Sequence, residues 1–284
     1  VVEGEEEKSP YSFQPYENAN GCFQISCYPL EEIAPKLADK YPSGVPELRW
    51  QPSRMDDSEF CVHMFYGASA DQALIGKYIH DASLDNDEQI NEELRLVEKI
   101  LKSVVIVPPG DRKLASDMEK FDRFQGSLAA SYDLLDNAIE SDSFVEVIAV
   151  SANQIDAFLR LSIVIAIQLK NQTDEIPIKY LFQAEDERGL MERKIYDNAL
   201  KYNVIKDNDH EELNSLYELR NRVIHRYIIS NIKTRDLPRI ALRYVEACEK
   251  VRLILRDLEN KQKDCQYGVY GKKFMKFPSL MMRQ

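Results

Sequence analysis

The chain has 284 residues, 44% of them hydrophobic and 30% charged, with a formal net charge of −11. That length allows one large or two modest domains with real cores. The acidity argues against a protein that coats nucleic acid over its whole surface. The longest central apolar run, Ile163–Ile167, is far too short to span a bilayer, and the acidic N-terminus is unlike a secretory leader. Five scattered cysteines fit free thiols in a reducing cytoplasm.

The charge is unevenly placed. Residues 210–284 carry 16 Lys+Arg against 9 Asp+Glu, whereas residues 1–209 carry 21 against 39. The basic stretch is where a phosphate would be drawn, although a solvated helix face gives the same count.

In chain order, residues 1–20 are acidic and hold two prolines, as a flexible tail does. Residues 21–110 predict a small α+β region. Cys22–Tyr28 and Glu59–Tyr66 are strand-like, and Pro46–Arg49 with Trp50 offers another strand. Glu31–Lys40 predicts a short helix. The stretch 69–82 predicts a helix with Ser69 as its N-cap. The stretch 87–106 predicts a second helix, with Ile90, Leu94, Val97, Ile100 and Leu101 on one face. Asp81, Asp85, Asp87 and Glu88 lack the glycine and spacing of a calcium loop and read as a polar turn. Cys22-x4-Cys27 and Cys61-x-His63 offer metal-ligand types, but their spacing is unlike zinc modules. Buried small hydrophobes are the better reading, so neither metal nor cofactor is expected. His63, His80 and His210 have no partner in sequence and read as ordinary. Pro108-Pro109-Gly110 is a firm break.

Residues 111–141 predict connecting helices. Residues 142–264 then offer four long amphipathic helices at about 142–170, 177–203, 209–230 and 234–263, with Asp209 and Thr234 as candidate caps. The fold class is therefore mainly α: a C-terminal four-helix up-and-down bundle after a smaller α+β N-terminal region. Residues 265–284 form a basic, aromatic tail. It is suited to stacking on RNA, docking on a partner, or folding back on its own domain.

The most informative stretch is Leu213–Ile229. On a helical wheel Leu213, Leu216, Tyr217, Val223, Ile224 and Tyr227 fall within about 60° of Arg220. A guanidinium in the middle of an apolar face needs a partner, because an unpaired buried charge is expensive. The partner is a carboxylate, a second subunit or a phosphate. Asp156 or Glu218 is the candidate acid. Asp156 also lies i, i+4 from Arg160, as a surface salt bridge would. His225, Asn221 and Glu218 share the flank of this helix, a layout suited to phosphate chemistry.

The run Arg220-Asn221-Arg222-Val223-Ile224-His225-Arg226-Tyr227 resembles the Arg-Asn-x-x-x-His and Arg-x4-His-x-Tyr signature of the HEPN superfamily. Leu190–Ile205 followed by polar 206–209 resembles that family's layout ahead of its motif. The resemblance covers about 142–264 and does not extend to the first 120 residues. It implies a dimeric, metal-independent endoribonuclease, a toxin or antiviral effector cutting tRNA or other RNA. Cleavage would run through 2′-OH attack to a 2′,3′-cyclic phosphate. In that reading Arg220, His225 and Asn221 are catalytic, Tyr227, Arg222 and Arg226 hold substrate, and Asp156 or Glu218 is a supporting acid. The implied partners are RNA, a second copy through the motif helix, and an antitoxin or other regulatory protein; no membrane is implied. The alternative is a non-catalytic nucleotide- or protein-binding module.

Overall fold

The structure is a computed structural model that describes residues 11–13, 19–29, 49–69, 72–85, 88–104, 107, 109–183 and 189–272. The chain divides into two compact units, Val1–Pro109 and Gly110–Gln284. The expected helix at Glu31–Lys40 and most of the acidic tail lie outside the described residues.

The first unit is built on an antiparallel sheet. Its strands are β1 (Tyr11–Phe13), β2 (Gly21–Pro29), β3 (Arg49–Asp56), β4 (Phe60–Ser69) and β5 (Gln72–Asp81), in the order β1-β2-β5-β4-β3. The helix expected over 69–82 is thus a strand. Its burial follows period two: Leu74, Gly76, Tyr78 and His80 are buried, and Ile75, Lys77 and Ile79 between them are less so. Ladders on both flanks, to β2 and β4, outweigh the capping signal at Ser69.

Helix α1 (Glu88–Ser103) covers one face of this sheet. Phe23 and Tyr78 pack there against Ile90, Val97 and Leu101. Two polar anchors fix the helix. The buried Glu93 carboxylate accepts from the Asn20 and Gly21 amides at 3.0 and 2.9 Å and from Tyr78 Oη at 2.7 Å. Trp50 Nε1 donates to the Leu101 carbonyl at 2.9 Å. Gly21 is required where it stands, since a Cβ there would lie 2.4 Å from the Tyr78 ring.

The second unit is helical throughout its described length: α2 (Arg112–Glu140), α3 (Phe144–Asn171), α4 (Glu192–Lys201), α5 (Asp207–His225) and α6 (Leu237–Lys263). The expected connecting helices are one continuous helix, α2, packed on α3. Helix α3 is central and also meets α4, α5 and α6. By length and composition it could cross a membrane, but 67% of its apolar window is buried inside the unit, as in a core helix. Asp142, Gln172 and Asn203 end helices in the left-handed region, at φ of 54°, 52° and 56°.

The expected helix over 177–203 is only a short turn at Ile178–Tyr180 and then α4. Arg160 ties the two ends of the intervening segment by donating to the carbonyls of Tyr180 and Leu190, at 3.0 and 2.7 Å. Residues 265–272 fold back on their own unit. The Gly268, Val269 and Tyr270 amides donate to Asp174, Gln168 and Gln262 at 3.0, 3.2 and 2.9 Å. Tyr270 therefore packs inward rather than presenting a stacking platform; residues 273–284 of the basic tail lie outside the described residues.

Candidate functional site

Helix α5 carries the motif. Lys206 occupies its N-cap, and Asp209 sits one turn in, accepting from the Lys206 amide and pairing with Lys250 at 2.5 Å. The expected cap at Asp209 is therefore displaced by three residues. Leu213, Leu216 and Val223 are buried as the wheel requires. Ile224, expected on the same face, is 40% exposed. The helix stops at His225, so Tyr227 lies in the following turn, where its hydroxyl meets Thr234 Oγ1 at 2.6 Å. Ser230 holds that turn by donating to the Tyr227 carbonyl and accepting from the Ile232 amide.

Arg220 does find an acid, and the acid is Glu192, at the first position of α4. The ion pair spans 2.5 Å, with only 16% and 15% of the two side chains exposed. Sequence reasoning offered Asp156 or Glu218 instead. Asp156 pairs with Arg160 on its own helix at 2.5 Å, half-buried rather than at the surface. Glu218 faces Arg193 at 3.5 Å. Glu192 carries only a local signal in the sequence, which does not tie it to Arg220. It opens a helix, where a carboxylate suits the N-terminal dipole, and stands one turn before the buried Tyr196, whose hydroxyl donates to it.

The surroundings tighten this pair. Arg220 also reaches Asn221 Oδ1 at 3.4 Å and lies over the Tyr217 ring at 5.0 Å, with Arg193 5.5 Å from the same ring. Tyr244 donates from α6 to the Leu216 carbonyl. Burial works against the Arg220 charge, and Glu192 beside it more than offsets that, so the guanidinium is held above its ordinary value. Burial pushes the Asp156 carboxyl up against the pull of Arg160. Burial together with Glu192 pushes the Tyr196 hydroxyl up, and burial does the same to Tyr244.

The motif therefore separates into two zones. Arg220 and Asn221 belong to a half-buried network with Glu192, Tyr217 and Tyr196. His225, Arg222 and Arg226 are exposed at the C-terminal end of α5. Residues five apart on a helix point about 140° away from each other, so Arg220 and His225 of one chain do not converge on a single point. No family model, curated protein or solved structure matches this chain.

Proposed function

We propose that the helical unit is a metal-independent endoribonuclease of the HEPN type, a cytoplasmic toxin or antiviral effector, with α3 to α6 as an up-and-down four-helix bundle. The observation that carries the reading is the free end of the motif helix, where an accessible imidazole, His225, stands with the cations Arg222 and Arg226. RNA brings its own nucleophile, the ribose 2′-OH, so cleavage needs proton transfer and positive charge at phosphorus. His225 of one copy takes the 2′-OH proton as the 2′-oxygen bonds to phosphorus. The bond from phosphorus to the 5′-oxygen breaks, and His225 of a second copy protonates that oxygen. The product is a 2′,3′-cyclic phosphate. Arg222 and Arg226 hold the phosphate, Arg220 and Asn221 set the helix end, and Tyr227 fixes the turn beyond it. Ile224, Ile228 and Ile229 are exposed at this end, and apolar exposure of this kind supports pairing of two copies.

One observation favours a second reading. Glu192 already neutralises Arg220, which suits a structural cation in a non-catalytic module that binds nucleotide or protein. Incubation of the purified full chain with total RNA, with and without EDTA, separates the two. Cleavage leaving cyclic-phosphate ends, retained in EDTA and lost in His225→Ala, supports the nuclease. Intact RNA with a folded parent chain under both conditions supports the module and sinks the nuclease.

A further inference from the structure

His63 and His80, expected to be ordinary and unpartnered, face each other in the sheet unit with their Nε2 atoms 3.2 Å apart. The strand register brings this about. Cys61 of β4 stands opposite His80 of β5, and His63 follows Cys61 by two residues on the same face. Asp85, just past the turn that follows β5, closes on them. Ligand atoms of Cys61, His80 and Asp85 all lie within 4.8 Å of one another. The partners of Cys61 and His63 are thus His80 and Asp85, not Cys22 and Cys27.

We infer that Cys61, His63, His80 and Asp85 form a structural zinc site. Thiolate, imidazole and carboxylate are the ligand types zinc takes, and four of them close a tetrahedron. Zinc–nitrogen bonds of about 2.0–2.1 Å make a tetrahedral nitrogen–nitrogen edge of roughly 3.3 Å, against the 3.2 Å between the two histidine nitrogens. Nδ1 of His80 lies 2.9 Å from the Asp81 carbonyl oxygen. A proton held there leaves Nε2 with its lone pair toward His63, the outer contact that ligating histidines usually make. Both ring nitrogens can ligate once the His63 proton sits on Nδ1 and Cys61 gives its thiol proton to solvent.

A cation already stands at this cluster. One Arg54 nitrogen, Nη2, lies 2.8 Å from Asp85 and 3.4 Å from Cys61 Sγ, while its Nε holds Asp56 at 2.8 Å. Nη2 bonds both Asp85 and Cys61, so those two ligand atoms can turn to zinc only as the guanidinium leaves. Arg54 is 41% exposed and its Nε is paired with Asp56, so zinc can displace Nη2 from both Asp85 and Cys61 without leaving the guanidinium unpaired.

The test is titration of the full chain, stripped by chelator, with zinc and in parallel with cobalt(II). One equivalent per chain is expected, with a thiolate-to-cobalt charge-transfer band and the intense visible bands of tetrahedral cobalt. Cys61→Ser should abolish the charge-transfer band. His80→Ala should weaken binding by at least about tenfold, and Cys22→Ser should leave it unchanged. Arg54→Gln should tighten it, because the competing cation is gone. A parent chain that binds no metal, or a cobalt spectrum without a thiolate band, overturns the site whatever the variants do.

Discussion

In the helical unit Arg220 and Glu192 leave 16% and 15% of their side chains exposed and spend their charges on each other. In the sheet unit Arg54, 41% exposed, meets a thiol and a carboxylate with one nitrogen while another stays on Asp56. The first arrangement is closed: each charge has a matched partner across two helices, and removing either strands the other. The second is open, because ligand atoms of Cys61, His80 and Asp85 lie within 4.8 Å of one another beside a side-chain cation that is 41% exposed. Buried charge alone therefore does not mark function. What separates the two is whether the partner belongs to the architecture or can be exchanged.

The largest effect expected at the motif is chemical. His225 is exposed, so His225→Ala should leave the urea midpoint of the chain unchanged while removing proton transfer, worth about 10²–10⁴-fold in rate. Equal cleavage by parent and variant would mean that the contrast between a closed network and a free helix end has no catalytic meaning.

Arg220→Ala should act the opposite way, through stability. It strands Glu192 beside Tyr196, and breaking a buried pair of this kind costs about 3 kcal/mol. Urea unfolding should show the loss, and the double replacement Arg220→Met with Glu192→Met should recover most of it. If the single variant unfolds at the parent midpoint, Arg220 is free to leave Glu192, and its assignment moves from the architecture to the substrate.

The sequence carried much of this and missed a definable part. Period-3.6 patterning gave α3 and α6 closely but ran α5 on past His225 to about 230, and the wheel set Arg220 inward with Leu213, Leu216 and Val223. Which acid would meet it was not legible. The i, i+4 spacing draws Asp156 to Arg160, while Glu192 comes from α4, beyond a linker whose Leu190 carbonyl accepts from Arg160. Strand β5 escapes a linear reading because Gln72–Asp81 shows alternation only when its neighbours are known. The cluster of Cys61, His63, His80 and Asp85 was invisible for the same reason: cross-strand register has no signature in linear spacing.

The smallest effect expected comes from the hydroxyl of Tyr196, which faces Glu192, Arg220 and Tyr244. Its folded value is raised above the ordinary value of about 10. Such a group contributes stability that is fully present below the unfolded value and is lost as pH rises through the folded one. Above pH about 10 the unfolded chain ionises first, and stability should fall by up to about 1.4 kcal/mol per pH unit from this residue alone. Lysines titrate in the same range, so the informative quantity is a difference. Tyr196→Phe should lower the midpoint at pH 8, by loss of the contact to Glu192, yet flatten the decline between pH 10 and 11 by about one proton. Parallel alkaline limbs for parent and variant would show that the hydroxyl reaches solvent, and that the network around Arg220 is more open than the site beside Arg54.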